Sequence, residues 1–156
     1  MPRRSAGLLL HRHGPGGVEV LVAHMGGPFW ARRDEGAWSV PKGEHGDGED
    51  PLAAALREFA EEIGSPAPHG PTIALGEFRQ SGGKVVTVFA READMDVTQI
   101  RSNTFELEWP PRSGRMQSFP EVDRAEWMAP DLARTKLVRG QVPVIDALLE
   151  RLSGAS

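Results

Sequence analysis

Glutamates at positions 58, 61 and 62 stand at i, i+3 and i+4, a spacing that brings three carboxylates to one side of a helix. Like charges so placed repel and weaken an isolated helix, which makes sense where a divalent cation sits among them. Oxygen donors of this kind suit Mg²⁺, with Mn²⁺ as the second choice, waters or phosphate oxygens filling the remaining octahedral positions. The competing explanation for a bare Glu-x-x-Glu-Glu run is a solvated acidic face.

The element that must present these acids is predicted as a helix over residues 51–63. Asp50 suits the N-cap, and Pro51 suits the first helical position, where a missing N–H costs nothing. Gly64 fits the position just past the helix, and Pro66 prevents continuation. Leu52, Leu56, Phe59 and Ile63 fall on one stripe at helical periodicity and are the expected buried side, with the glutamates opposite.

Spacing around the helix narrows the choice. Gly43 is followed six residues on by Glu49, then by Arg57-Glu58, Glu61-Glu62 and Gly64. This reproduces nearly every fixed position of the Nudix box, and the chain closely resembles Nudix hydrolases. Two positions depart from the pattern: Phe59, where aliphatic residues are commoner, and Ser65, where an apolar residue is usual. Both concern packing rather than metal binding.

The resemblance implies an α/β fold, the Nudix α/β/α sandwich with a mixed β-sheet between helices, forming a single domain over residues 1–156. It also implies divalent-metal-dependent hydrolysis of a pyrophosphate linkage in a nucleoside diphosphate derivative. Carried over by position, Glu58, Glu61 and Glu62 bind metal, the Gly43 carbonyl adds a ligand, Glu49 supports the site and Arg57 orients a box glutamate. Some members recruit a further glutamate from a loop before a late strand ending in tryptophan. Here that strand resembles Glu121 to Trp127, so Glu121 is the expected extra ligand or base, with Glu106 and Glu108 as competitors. The catalytic set is then Glu62, Glu61, Arg57 and Glu121, with the general base falling to Glu62 or Glu121.

Substrate residues are sought upstream. Lys42, in Trp38-Ser39-Val40-Pro41-Lys42-Gly43-Glu44, resembles the Pro-Lys-Gly of members acting on dinucleoside polyphosphates and diphosphoinositol polyphosphates, where a cation meets distal phosphates. Arg32 and Arg33 are candidates for the same task, and Trp30, with Phe29 and Trp38, for stacking on a base. Family subclass markers some way past the box, a tyrosine or a proline, are absent from Arg79-Gln80-Ser81-Gly82. The expected substrate is therefore a dinucleoside polyphosphate or a nucleoside triphosphate. The alternatives are an ADP-ribose or nucleotide-sugar pyrophosphatase, disfavoured by the missing proline, and a non-catalytic Nudix-fold nucleotide sensor, disfavoured because all the box acids are kept.

Composition agrees with this. A chain of 156 residues with 39% hydrophobic and 26% charged residues is long enough for one domain with a core. A net charge of −4 argues against general nucleic-acid binding. Zero cysteines exclude disulfides, thiolate zinc sites and cysteine nucleophiles. No apolar run approaches the ~18 residues of a membrane span, and the basic start followed by Gly7 to Leu10 is no secretory segment. A cytoplasmic location is the default, the expected partner is a nucleotide or other polyphosphate small molecule rather than a membrane, and a homodimer is an option for assembly.

The remaining elements are read from turn signals and alternation. Strands are predicted over 5–12 and 18–25 around a glycine-rich turn, then a loop over 26–36 and a short strand at 38–40. Strands over 72–80 and 84–90 flank Ser81-Gly82-Gly83. An exposed strand at 104–109, a loop at 110–115, a strand within 121–128, a helical region from Pro130 and an amphipathic helix over 142–152 complete the chain.

Overall fold

The computed structural model describes residues 3–154. Strand β1 (Arg4–Gly14) lies at its centre, almost continuously buried from Ser5 to His11. Ala6, Leu8 and Leu10 point to one face of the sheet and Leu9 to the other, as the two-residue period of a strand requires. A run of consecutive leucines is what a strand covered on both faces needs.

β1 turns through Gly14 and Gly17 into the antiparallel β2 (Gly17–Met25). The two strands then part. β1 pairs with β2 over His11–Gly14, but its earlier residues Ser5, Ala6 and Gly7 pair with Glu44, Gly43 and Lys42 of β4 (Lys42–Glu44). β2 in turn takes the short β3 (Trp38–Ser39) as a neighbour through Ala23 and His24. The segment leading to the acidic helix is thereby wedged into a fork between two central strands.

Helix α1 (Pro51–Ile63) has the predicted bounds, with Asp50 accepting the Ala53 N–H at 3.0 Å and Gly64 in the left-handed region at φ 94°. A side chain at Gly64 would meet the Arg101 carbonyl oxygen at 2.4 Å, so both conformation and space select glycine there. After α1 come β5 (Thr72–Arg79) and β6 (Val85–Glu92), joined by a tight turn at Ser81–Gly83, with β6 running parallel to β1 along its length. Then β7 (Thr104–Glu108) and β8 (Met116–Pro120) form a separate two-stranded sheet. β9 (Val122–Met128) returns to pair with β2, and α2 (Pro130–Lys136) and α3 (Val142–Ser153) follow.

The mixed sheet has seven strands, with α1 on one face and α2 and α3 on the other. This is the expected α/β/α sandwich. Phe59 and Ile63 of α1 pack on Leu8, Leu10 and Leu21. Ile145 and Leu148 of α3 cover the opposite face with Val20, Val22 and Trp38.

Three sequence expectations need correction. The buried side of α1 is Ala54, Ala55, Glu58, Phe59 and Ile63, while Leu52 and Leu56 are only half-buried. The helix is rolled so that its small residues approach the sheet and Glu58 is carried inward, and the glutamates do not form an outer face. Second, the glycine-rich stretch from Gly43 to the helix, which reads as a loop, begins as the strand Lys42–Glu44, because β1 offers it an open edge below the fork. Third, residues 116–120 form a strand, and the predicted loop is only the turn of a hairpin in which exposure alternates along β7 while β8 is exposed except at Phe119.

Phe59 is fully buried, so the departure from an aliphatic residue at this position is accommodated by packing. Truncating it to alanine should cost about 3–5 kcal/mol of unfolding free energy in a denaturant titration. A loss near zero would mean that α1 is not anchored by this ring.

Candidate functional site

The site begins where α1 meets β4. A side chain at Gly43 would lie 1.9 Å from Glu58 Oε1, so the helix can bring this carboxylate against the strand only because residue 43 has none. Glu58 is accordingly 9% exposed. Arg57 compensates for the burial: its Nη1 donates to Glu58 Oε2 at 2.6 Å, its Nε and Nη2 to the two Glu49 oxygens at 3.1 Å each, and its guanidinium is 3.6 Å from Glu61. The hydrogen bonds that Arg57 donates to Glu49, foremost, drive the arginine's proton affinity still higher. Burial pushes the Glu58 carboxyl above the usual carboxylate range, Arg57 pulls it back, and the charges of Glu61 and Glu121 push it up again.

Glu62 accepts the Lys42 backbone N–H at 3.2 Å. Burial lifts its pKa from 4.5 to about 8, against the Lys42 N–H and ammonium, with Glu121 and Glu58 adding to the rise. Glu121 comes from a different part of the chain, the junction of β8 and β9. Its backbone N–H donates to Asn103 and its carbonyl accepts from Gly26, each at 2.9 Å. Its carboxyl is also raised, by burial first and then by Glu61.

Four carboxylates thus feel one another's charge. Their oxygens are the hard donors that Mg²⁺ or Mn²⁺ takes. Among the described residues no three His, Cys, Asp or Glu side chains converge as a finished cage. Mg²⁺ keeps several waters and is held by one or two carboxylates plus substrate phosphates, so an open set of acids fits it.

Glu62 and Glu121 line a cleft of about 450 Å³ together with Lys42, Lys84, Trp30 and Phe105. Ala23, Met25, Ser39 and Lys42 on its walls belong to the strands of the fork, beyond the point where β2 has left β1. Lys42 is the cation expected from the sequence, and burial pulls its pKa down while Glu62 opposes this. Trp30 is there too, half-buried against the core. The loop that carries it is tied down by His24, a fully buried imidazole whose Nδ1 lies 2.8 Å from Asp123 Oδ1 and whose Nε2 lies 2.7 Å from the Arg33 carbonyl oxygen.

Other expected substrate residues fall elsewhere. Arg33 is exposed, with its guanidinium 5.6 Å from the Trp30 ring, and Arg32 is exposed; neither lines the cleft. Both follow Trp30 on the outer side of the loop. Trp38 is buried and donates its indole N–H to Asp34 at 2.9 Å, so it is a core anchor. Phe29 is 59% exposed and meets Trp109 edge to face. Of the acids that competed with Glu121, Glu108 accepts the Gly114 N–H at 2.8 Å, and both it and Glu106 face outward while Phe105, just before Glu106, turns to the cleft.

Sequence reasoning missed Lys84, Gln80, Ser81, Phe105 and Gln141, all on the cleft wall. Lys84 and Ser81 flank the glycine turn between β5 and β6, which read only as a hairpin. Gln141 just precedes the terminal helix and is fully buried, a placement that no periodicity announces.

A family model described as NUDIX domain matches residues 1–148. Among curated proteins no sequence matches. Similar solved structures include the C. elegans Ap4A hydrolase in a binary complex, at 20% identity and TM-score 0.66, covering 96% of this chain and 98% of that one. The NUDIX domain of Shewanella oneidensis NrtR complexed with ADP ribose has 18% identity and TM-score 0.64, covering 97% and 89%. RenU, a Nudix hydrolase from M. Smegmatis, has 25% identity and TM-score 0.61, covering 97% and 86%.

The raised pKa of Glu62 sets a pH dependence. A carboxyl that binds its proton more tightly folded than unfolded contributes stability that is complete below 4.5 and lost as pH rises through about 8. Metal-free protein should therefore melt at lower temperature as pH climbs through that window, and Glu62→Gln should flatten the decline in a calorimetric series. A wild-type melting temperature that rises steadily over the same window would contradict the burial of this group.

Proposed function

The chain belongs to the NUDIX domain family, as a pyrophosphohydrolase, and on that premise we propose that it hydrolyses a dinucleoside polyphosphate or a nucleoside triphosphate with the help of Mg²⁺. The observation that carries this reading is the joint presence, in one cleft, of two carboxylates, two lysines and two aromatic side chains. Acids suit a divalent ion, ammonium groups suit a polyphosphate chain, and Trp30 and Phe105 suit the flat face of a base.

In this reading Glu58, Glu61, Glu62 and Glu121 hold the metal, with the Gly43 carbonyl as a further oxygen. When bound, the ion neutralises phosphate charge and lowers the pKa of water. Arg57, anchored by Glu49, keeps Glu58 in place and does not touch substrate. Lys42 and Lys84 draw the phosphates into the cleft, and Lys42 in addition fixes Glu62 through its backbone N–H.

The attacking water forms the new P–O bond, the bridging P–O bond breaks with its electrons passing to the departing phosphate, and the water's proton goes to a carboxylate. Glu62 or Glu121 takes that proton. Its place on the cleft wall, fixed by the Lys42 backbone N–H, favours Glu62 for that role.

With Mg²⁺ saturating, Glu62→Gln should lower kcat by about 10²-fold or more with little change in KM; near-normal turnover would remove Glu62 from the chemistry. A panel of dinucleoside polyphosphates, nucleoside triphosphates, ADP-ribose and diphosphoinositol polyphosphates, run in ¹⁸O-labelled water, should show turnover of one of the first two classes and locate the attacked phosphorus. Preferential turnover of ADP-ribose would replace the proposed substrate class, and tight nucleotide binding without turnover would favour a sensor.

A further inference from the structure

The wall of the cleft holds a hydrogen-bond chain that the proposed hydrolysis does not use. It starts at a donor whose polarity is certain, the backbone N–H of Val40, which donates to Gln141 Oε1 at 2.8 Å. This fixes the orientation of the Gln141 amide, because its oxygen must face Val40. The Gln141 NH₂ group then donates to Ser39 Oγ and to Gln80 Oε1, each at 3.0 Å. Ser39 Oγ–H donates in turn to the Val40 carbonyl oxygen at 2.7 Å. Gln141 and Ser39 are buried, so the chain is held rigidly and sheltered from water.

The polarity propagates to Gln80. Its oxygen is occupied by Gln141, and its Nε2 has no partner among the described residues, although Gln80 lines the cleft. A half-buried amide is thus locked with its donor end as the unused group. Beside it in the same lining stands Lys84, which can only donate. Trp30 and Phe105 contribute aromatic surface to the same cleft.

Resting on the reading that a nucleotide occupies this cleft, we propose that Gln80, oriented by Gln141, is a specificity-determining residue that selects a keto base over an amino base. A guanine edge offers two acceptors, N7 and O6, whereas adenine places an N–H₂ donor where O6 would be. Facing the locked donor of Gln80, that amino group leaves two donors opposed and both unsatisfied. Uracil against cytosine poses the same choice at position 4 of the ring. Gln141 acts through Gln80 and is a positioning residue.

The test is equilibrium binding in Mg²⁺, using bismethylene analogues of the nucleoside triphosphates, in which carbon replaces both bridging oxygens so that turnover cannot intervene. The wild-type protein should bind the guanosine analogue roughly tenfold more tightly than the adenosine one, and the uridine analogue more tightly than the cytidine one. Gln80→Leu should bring both ratios close to one, and Gln80→Glu, which exchanges the donor for an acceptor, should flatten or reverse them. Gln141→Leu should reduce the ratios as well, a readout that loss of stability alone would not move. Equal binding of keto and amino analogues by the wild type, no binding of any, or ratios untouched by Gln80→Leu would each overturn the proposal. Hydrolysis without base discrimination would overturn it while leaving the proposed reaction standing; discrimination in binding without hydrolysis of any natural nucleotide would do the reverse.

Discussion

Glu58, Glu62 and Glu121 are held back from ionising, first by burial and then by the negative charge of neighbouring glutamates, Glu61 among them. The rest of the site is an answer to that repulsion. Arg57 supplies one positive charge and Lys42 a second, each on the flank of a different glutamate. A residual excess of negative charge remains, and it is what a divalent ion with a phosphate chain in tow would relieve. Removing Arg57 would leave Glu58 buried and uncompensated, a more costly error than losing an exposed ion pair.

Positioning depends on where strands stop pairing. β1 has two successive partners on one edge, and the gap between them admits the segment from Trp38 to Glu44. That segment delivers Trp38 to the core, Ser39 and Lys42 to the cleft and Gly43 to Glu58. Buried polar groups stitch the fork at two points: His24 to the loop that bears Trp30, and Gln141 to Val40. Each polar atom of these two side chains has a partner within hydrogen-bond distance, and such networks in a core add definition to the fold.

Much of this was legible in the sequence where local chemistry decides the outcome. The bounds of α1 follow from Asp50, Pro51 and Gly64, each of which acts on its own backbone. Glu121 is singled out by resemblance, because it precedes a strand ending in tryptophan, and its position borders the cleft. The roll of α1 was not legible: Leu52 and Leu56 form as good a stripe as the alanines, and only the absence of a side chain at Gly43, a tertiary matter, draws Glu58 inward. Arg32 and Arg33 carry the right charge but sit past the point where the loop turns outward. Gln80 and Gln141 are 61 residues apart, and no spacing rule links them.

The hairpin of β7 and β8 stands apart from the main sheet and contributes nothing to the buried clusters, yet it leans Phe105 over the cleft and ends at Glu121. Glu58, Glu61 and Glu62 are thus carried by the sandwich, and Glu121 with one rim of the cleft by the end of a hairpin that the buried core does not use. Insertions, deletions or exchanges in that part leave the core untouched. The architecture therefore sets one rim of the cleft on an element whose loss of side chains would leave the buried core of the sandwich intact.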